Sequence, residues 1–373
     1  MKTKSFSIPL LLCILFNSAT TIAQTKYNYY FGNLHAHTIY SDGAKDSKKT
    51  GVDIPAEAFK FAKQSKHLDF LGISEHNHKQ AKMMLANYAK GLQQAKEATE
   101  NGKFVALYGI EYGLYDSGHI LVYGIDKLIG WDEGYYDLKS EKNNYPSLYT
   151  IMTNYPNAFA TLAHPKTAHF NNLKTSAYSL LADKAITGVA IANGPHTSTK
   201  TDYSLKPEFD YYGYYTQLLS LGYTIGPTID HDTHNTTFGR HTAARTVVLA
   251  KKLARDDIMD AYRSNRFYAS HDWNAQVDFT INDQPLGSYI KNTDSISFKI
   301  NIEDPDAADK IKKITIMYGK PGSGIKPTVF GSSQTSKLNL SHVLKLGEAY
   351  YYYALIEQID GDKIVTSPIW AKY

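Results

Sequence analysis

Short apolar runs in this chain end again and again on a histidine or a carboxylate, and that recurrence limits the folds open to it. Leu68-Asp69-Phe70-Leu71-Gly72-Ile73, Phe104 to Tyr108, Phe159 to Ala163 and Gly188 to Ala192 read as buried strands, each β-branched or aromatic in part. Amphipathic stretches lie between them. Pro55 to Lys66 is one, with the proline placed for a first helical turn. Repeated β-then-α units from about Asn28 to Ser270 predict a largely parallel sheet, open or closed into a barrel.

The polar ends carry the chemistry. His35-Ala36-His37-Thr38 follows an apolar stretch, and two residues apart on extended chain both imidazoles project to one side. Ser41-Asp42-Gly43 adds a carboxylate in a turn. Ser74-Glu75-His76-Asn77, Glu111, Gly118-His119, His164-Pro165 and Asp230-His231-Asp232-Thr233-His234 each adjoin an apolar run. Taken singly, any of these is readily a helix cap, a turn or a satisfied core polar group. Taken together they mark one face, because parallel β/α folds gather strand C-termini where their sites lie.

Composition then narrows the ligand chemistry. Fourteen histidines accompany a single cysteine, Cys13, so a thiolate cluster and an intramolecular disulfide are both excluded. Imidazole and carboxylate are left as donors, and their number suits two or three divalent ions, with Zn²⁺, Mn²⁺ and Fe²⁺ all compatible.

In these residues the chain resembles the PHP (polymerase and histidinol phosphatase) family. His35-Ala36-His37-Thr38 with Ser41-Asp42-Gly43 resembles its first motif, and Ile73-Ser74-Glu75-His76-Asn77 its second. Ala163-His164-Pro165 resembles the third and Asp232-Thr233-His234 the fourth, while Glu111 and His119 match the intervening bridging glutamate and histidine. The resemblance covers roughly residues 28 to 270 and implies a distorted (β/α)7 TIM-like barrel. It also implies three neighbouring metal positions. One uses His35, His37, Glu111 and Asp232; a second shares Glu111 and adds His119 and His164; a third draws on His76, His234 and Asp42. Two departures stand out: Glu75 replaces the family's usual Asp, and Asp42 stands where some members supply a histidine.

Neighbouring divalent ions lower the pKa of a bridging water toward neutrality and offset charge on a phosphate. The sequence thus predicts a metal-dependent phosphoesterase acting on mono- or diesters, with a metal-bridging hydroxide as nucleophile and Glu111, His119 and His164 as catalytic residues. No Gly-x-Ser-x-Gly elbow competes with it. His78 is a candidate proton donor to the leaving group. Arg240, His241 and Arg245, downstream of the Asp232/His234 cluster, are candidates to grip substrate, as are Asn193 and His196. Arg245 reads equally well as a structural ion-pair partner. Hydrolysis of amides or carboxylic esters, and non-catalytic glycan or protein binding, are the alternatives.

Lys2 and Lys4, the apolar run Ile8 to Phe16 and Thr21-Ile22-Ala23 read as a signal peptide over residues 1–23, predicting a secreted or periplasmic protein. That run is too short for about 30 Å of hydrocarbon, so no transmembrane anchor is expected. The metal-dependent hydrolase domain is expected over 24–274. From 275 to 373 alternating runs, among them Val277 to Ile281, Ser295 to Ile302, Ile314 to Tyr318, Tyr350 to Gln358 and Ile364 to Trp370, predict a small all-β sandwich. A formal charge of +4 shows no nucleic-acid surface, so the expected partner is a small-molecule or glycan- or lipid-linked phosphate ester.

Overall fold

Eleven strands precede the expected boundary at 274/275 in the computed structural model, which describes residues 26–373. They are β1 (Asn28–Asn33), β2 (Phe70–His76), β3 (Val105–Tyr112), β4 (His119–Tyr123), β5 (Ile129–Gly130), β6 (Leu138–Lys139), β7 (Phe159–Ala163), β8 (Ile186–Asn193), β9 (Gly226–Asp230), β10 (Arg245–Ala250) and β11 (Phe267–Ser270). Nine follow it: β12 (Gln276–Ile281), β13 (Tyr289–Lys291), β14 (Ser295–Glu303), β15 (Ile311–Gly319), β16 (Thr328–Ser333), β17 (Lys337–Val343), β18 (Ala349–Gln358), β19 (Lys363–Thr366) and β20 (Ile369–Lys372). The expected signal peptide, 1–23, lies outside the described residues.

The expected (β/α)7 barrel is not what forms. Strands take 36% of the residues against 19% in helices, and the main sheet is a curled, mixed half-barrel. Its order is β13-β20-β18-β19-β11-β10-β1-β2-β3-β4-β7-β8-β9. The pairs β1–β2, β2–β3, β7–β8 and β8–β9 are parallel, but β3–β4, β4–β7, β1–β10 and β10–β11 are antiparallel. Chain length explains the reversal at β4. A parallel return needs a crossover of about a dozen residues or more, whereas Gly113 to Gly118 is a short link. The reversal puts the start of β4 beside the end of β3.

Where parallel order survives, helices supply the crossovers. Pro55–Ala62 joins β1 to β2 and buries Pro55, Ala58, Phe59 and Ala62 on one face. Leu85–Ala98 joins β2 to β3 and turns Tyr88, Gly91 and Ala95 to the sheet, a spacing of three to four residues. Gly91 is needed there for close approach: a Cβ would lie 2.1 Å from the Tyr108 ring.

The sheet curls without closing by a ladder. Side chains span the gap instead: Asn33 Nδ2 donates to the Ile229 carbonyl at 2.9 Å, and Thr246 Oγ1 accepts from the Ile229 amide at 2.9 Å. The far edge therefore comes back beside β1.

At the other end the sheet crosses the 274/275 boundary, because β11 pairs antiparallel with β19. The C-terminal residues add strands to it and lay a three-stranded sheet, β12-β14-β17, against them. Val277, Phe279, Ile281, Ile296, Phe298 and Ile300 from that layer pack with Ile314, Ile316, Tyr352 and Ile356. Among the described residues no helix is long and apolar enough to cross a membrane.

Candidate metal centre

One edge of the half-barrel collects the polar ends. His35 and His37 follow β1, His76 closes β2, Glu111 lies at the end of β3, His164 follows β7, and Asp232 and His234 follow β9. His119 opens β4, whose reversed direction delivers it to the same edge. His164 and Asp232 hold left-handed backbone at φ 27° and 53°, a conformation that non-glycine residues seldom adopt away from constrained sites.

Glu111 is the hub. Oε1 lies 3.1 Å from His35 Nε2, 2.8 Å from His119 Nδ1 and 3.2 Å from His164 Nε2. Oε2 lies 3.1 Å from His37 Nε2 and 3.3 Å from His76 Nδ1. Asp232 Oδ1 is 3.4 Å from His35 Nε2 and 3.5 Å from His37 Nε2. Asp42 Oδ1 is 3.3 Å from His234 Nε2 and 3.6 Å from His76 Nε2.

These separations suit shared ions. Two donors each about 2.1 Å from one cation, at tetrahedral to octahedral angles, lie about 3.0–3.4 Å apart. Hydrogen bonding does not account for the packing, since His35 Nε2, both nitrogens of His37, His76 Nδ1, Glu111 Oε2 and Asp42 Oδ1 are buried without a hydrogen-bond partner. Such orphans are costly unless something unseen satisfies them. Three compact groups result: His35/His37/Glu111/Asp232, His37/Asp42/His76/His234 and His76/Glu111/His119. The first matches the expected set. The other two differ from it, since His37 and His76 each face two groups, while His164 reaches Glu111 Oε1 and packs its ring against those of His35 and His119 without joining a compact group.

Electrostatics points the same way. Among the described residues no lysine or arginine pairs with Glu111 or Asp232, and a buried carboxylate without a cation is strongly disfavoured. Burial works against charge on both, but the surrounding imidazoles, His119 and His35 foremost, hold Glu111 well below the usual carboxylate range, and His35 foremost does so for Asp232. Burial likewise opposes charge on His37, yet Asp232 and Glu111 hold it at about 10; burial drives His76 down to about 3. The carboxylates thus demand positive charge, and divalent ions supply it while displacing imidazole protons.

A supporting layer fixes the ligands. Asp230 Oδ2 sits 3.1 Å from His35 Nδ1, the arrangement that orients a metal-binding imidazole. Nothing in the apolar pattern singled out Asp230 as more than a strand end. Glu75 accepts from the Thr38 amide at 3.0 Å and from the Thr38 and Ser41 hydroxyls, so it pins the His37–Asp42 loop rather than joining the cage. Gly43 completes that loop, for a Cβ there would stand 2.4 Å from the His37 carbonyl.

The expected substrate residues divide. Asn193 Nδ2 donates to Asp232 Oδ2 at 3.0 Å, and the exposed His196 ring lies 5.7 Å from that of His234. His78 lies 5.8 Å from His76 and stacks on Trp131. Its Nδ1 accepts from the Ala81 amide, and burial holds its pKa below the usual range, so the neutral ring carries its proton on Nε2. Arg240, His241 and Arg245 do not reach the cage. Arg245 is fully buried and donates to the carbonyls of Lys66, His67, Gly239, Thr242 and Ala244, which uses every guanidinium N–H. Arg240 donates to Ser65 Oγ and the Phe61 carbonyl, and His241 pairs with Thr237 and meets the His231 ring edge-on. Their nearness in sequence misled because the chain turns inward after Phe238.

Lysine takes the exposed positions instead. Lys166 Nζ lies 3.9 Å over the Tyr115 ring, itself 6.4 Å from His119. With Pro165, Lys174, Asp210 and Lys326 it lines a cleft of about 440 Å³ that contains none of the cage residues. A hollow of about 1270 Å³, lined by Tyr29, Gln276 and Asp278, likewise contains none of the cage residues.

No known family profile matches the chain. No curated protein matches it either. Among solved structures, similarity is faint. A superoxide reductase (neelaredoxin) from Ignicoccus hospitalis is 11% identical over 26% of this chain and 80% of its own, with a TM-score of 0.18. Fibronectin(III)-like modules of Clostridium thermocellum CbhA are 17% identical over 26% of this chain and 96% of theirs, at 0.19. An engineered protein covers 92% of this chain and 94% of its own at 8% identity, at 0.23. These values are too low to carry an inference about fold or function.

Proposed function

We propose that this chain is a metal-dependent hydrolase of phosphate esters, exported by its N-terminal segment and working with Zn²⁺, Mn²⁺ or Fe²⁺. One observation carries the reading: Glu111 presents each carboxylate oxygen to a different set of histidines, the arrangement of a carboxylate that bridges two ions through both oxygens. The motif resemblance to the PHP family supports the same ligand set, although its barrel does not hold here. Bound ions would supply an acidified water and charge neutralisation for a phosphate.

The residues of the chain then have definable tasks. Asn193 steadies Asp232, His196 lines the rim, and the neutral His78 ring offers its Nε2–H as a hydrogen-bond donor near the cage. Lys166, Lys174 and Lys326 line a cleft that starts at Pro165, the residue after His164, and favour an anionic substrate portion there over the single carboxylate of Asp210. The test is a panel of phosphate mono- and diesters, amides and carboxylic esters, assayed on protein whose ions have been counted by mass spectrometry. Metal-dependent turnover of a phosphate ester is expected. Turnover of amides or carboxylic esters alone, or of nothing by metal-loaded protein, overturns the reading.

A further inference from the structure

A second group of ligands, with different chemistry, lies where the half-barrel passes into the C-terminal layers. Asp272 follows β11, Asp304 and Asp309 flank the turn between β14 and β15, and their carboxylates converge closely enough to share an ion. Three acids alone would not make a site. Here two buried carboxamides join them. Gln358 of β18, 1% exposed, donates Nε2 to Asp272 Oδ2 at 3.0 Å and to Asp304 Oδ2 at 2.8 Å, while its Oε1 has no partner. Asn274, 7% exposed, donates Nδ2 to Asp306 Oδ2 at 3.0 Å, and its Oδ1 likewise has none.

A buried carbonyl oxygen finds no donor in an ionised carboxylate. A cation satisfies it, and a half-turn of the Gln358 carboxamide brings Oε1 to the point where Nε2 now bridges two anions. Every donor is oxygen, none is nitrogen, and the three aspartates come from loops rather than a rigid octahedral frame. That set suits Ca²⁺, which takes six to eight oxygens at roughly 2.3–2.6 Å, better than Mg²⁺ or the ions of the histidine cage.

We propose that Asp272, Asp304, Asp309 and Gln358, with Asn274 beside them, form a calcium site. It ties the end of β11 to β18 and to the β14–β15 turn. β11 and β18 are joined in the main sheet through β19, with Ser270 paired to Ile364 and Ile364 to Ile356, while β14 belongs to the three-stranded layer. The ion would clamp the junction rather than take part in hydrolysis.

Calorimetric titration of the full chain with CaCl2, after the histidine centre has been loaded with Zn²⁺, tests this. One Ca²⁺ per chain is expected, with Tm rising as Ca²⁺ increases. Asp304→Asn together with Asp309→Asn should weaken Ca²⁺ binding at least tenfold and abolish the Tm response. Asp309→Asn alone, in a half-buried turn, guards against misfolding of the pair and should weaken binding severalfold. No Ca²⁺ uptake by the wild type, unchanged affinity in Asp309→Asn, or an equal Tm response to Mg²⁺ would overturn the assignment.

Discussion

Glu111 Oε1 lies 2.8 Å from His119 Nδ1 across the antiparallel junction of β3 and β4. Had β4 run parallel to β3, His119 at its start would sit at the opposite edge of the sheet. The strand reversal that breaks the expected barrel is therefore what brings His119 into the cluster of candidate ligands.

Glu111→Gln tests the hub. The neutral amide keeps the shape but removes the charge that faces five imidazoles, and it offers only one oxygen donor. Metal content by mass spectrometry should fall by at least one ion per chain, with circular dichroism unchanged. Wild-type stoichiometry would refute a bridging role.

Asp230→Asn addresses the layer behind the ligands. Losing the carboxylate at His35 Nδ1 should weaken metal binding about 10- to 100-fold, the usual cost of removing such a partner. Competition with a chelator reads this out. Unaltered affinity would show that His35 is oriented by packing alone.

Arg245→Lys separates structure from recognition. Lysine supplies three donors where five carbonyls are served, leaving buried acceptors unpaired at about 1–3 kcal/mol each. Tm should drop markedly while KM of the folded fraction stays as in the wild type. A raised KM with normal Tm would return Arg245 to the substrate site.

His241 bears on acid stability. Burial, and after it Arg245, push its pKa from 6.5 down to about 3. The unfolded chain therefore binds the extra proton between those values, and stability falls as pH drops from 6.5 toward 3. His241→Gln should reduce that slope by up to about 1.4 kcal/mol per pH unit. Denaturant melts across the window check it, and an unchanged slope would show that His241 titrates alike in both states.

Much of the centre was legible in the sequence, since each ligand stands at the polar end of an apolar run. His35, His37, Glu111 and Asp232 form the group expected of them. His164 and His119 stand together on Glu111 Oε1 as expected, and His76 joins the same carboxylate through Oε2. Rim residues were least legible. Arg240 and Arg245 look like anion grips in sequence, but their burial depends on how the chain after Phe238 folds against Lys66 and His67. Asp272, Asp304, Asp309 and Gln358 are scattered along the chain and unmarked by any pattern.

Sequence alone determined the ligand chemistry, imidazole and carboxylate without thiolate, and the strand ends that present it. Local residue identity suffices for that, because apolar runs and their polar ends are adjacent in the chain. Tertiary structure decided the direction of β4, the open curl of the sheet, its continuation through β19 and the inward turn of Arg245. Those depend on which strand finds which partner and on where buried donors find acceptors, contacts between residues far apart in the chain that no local pattern encodes.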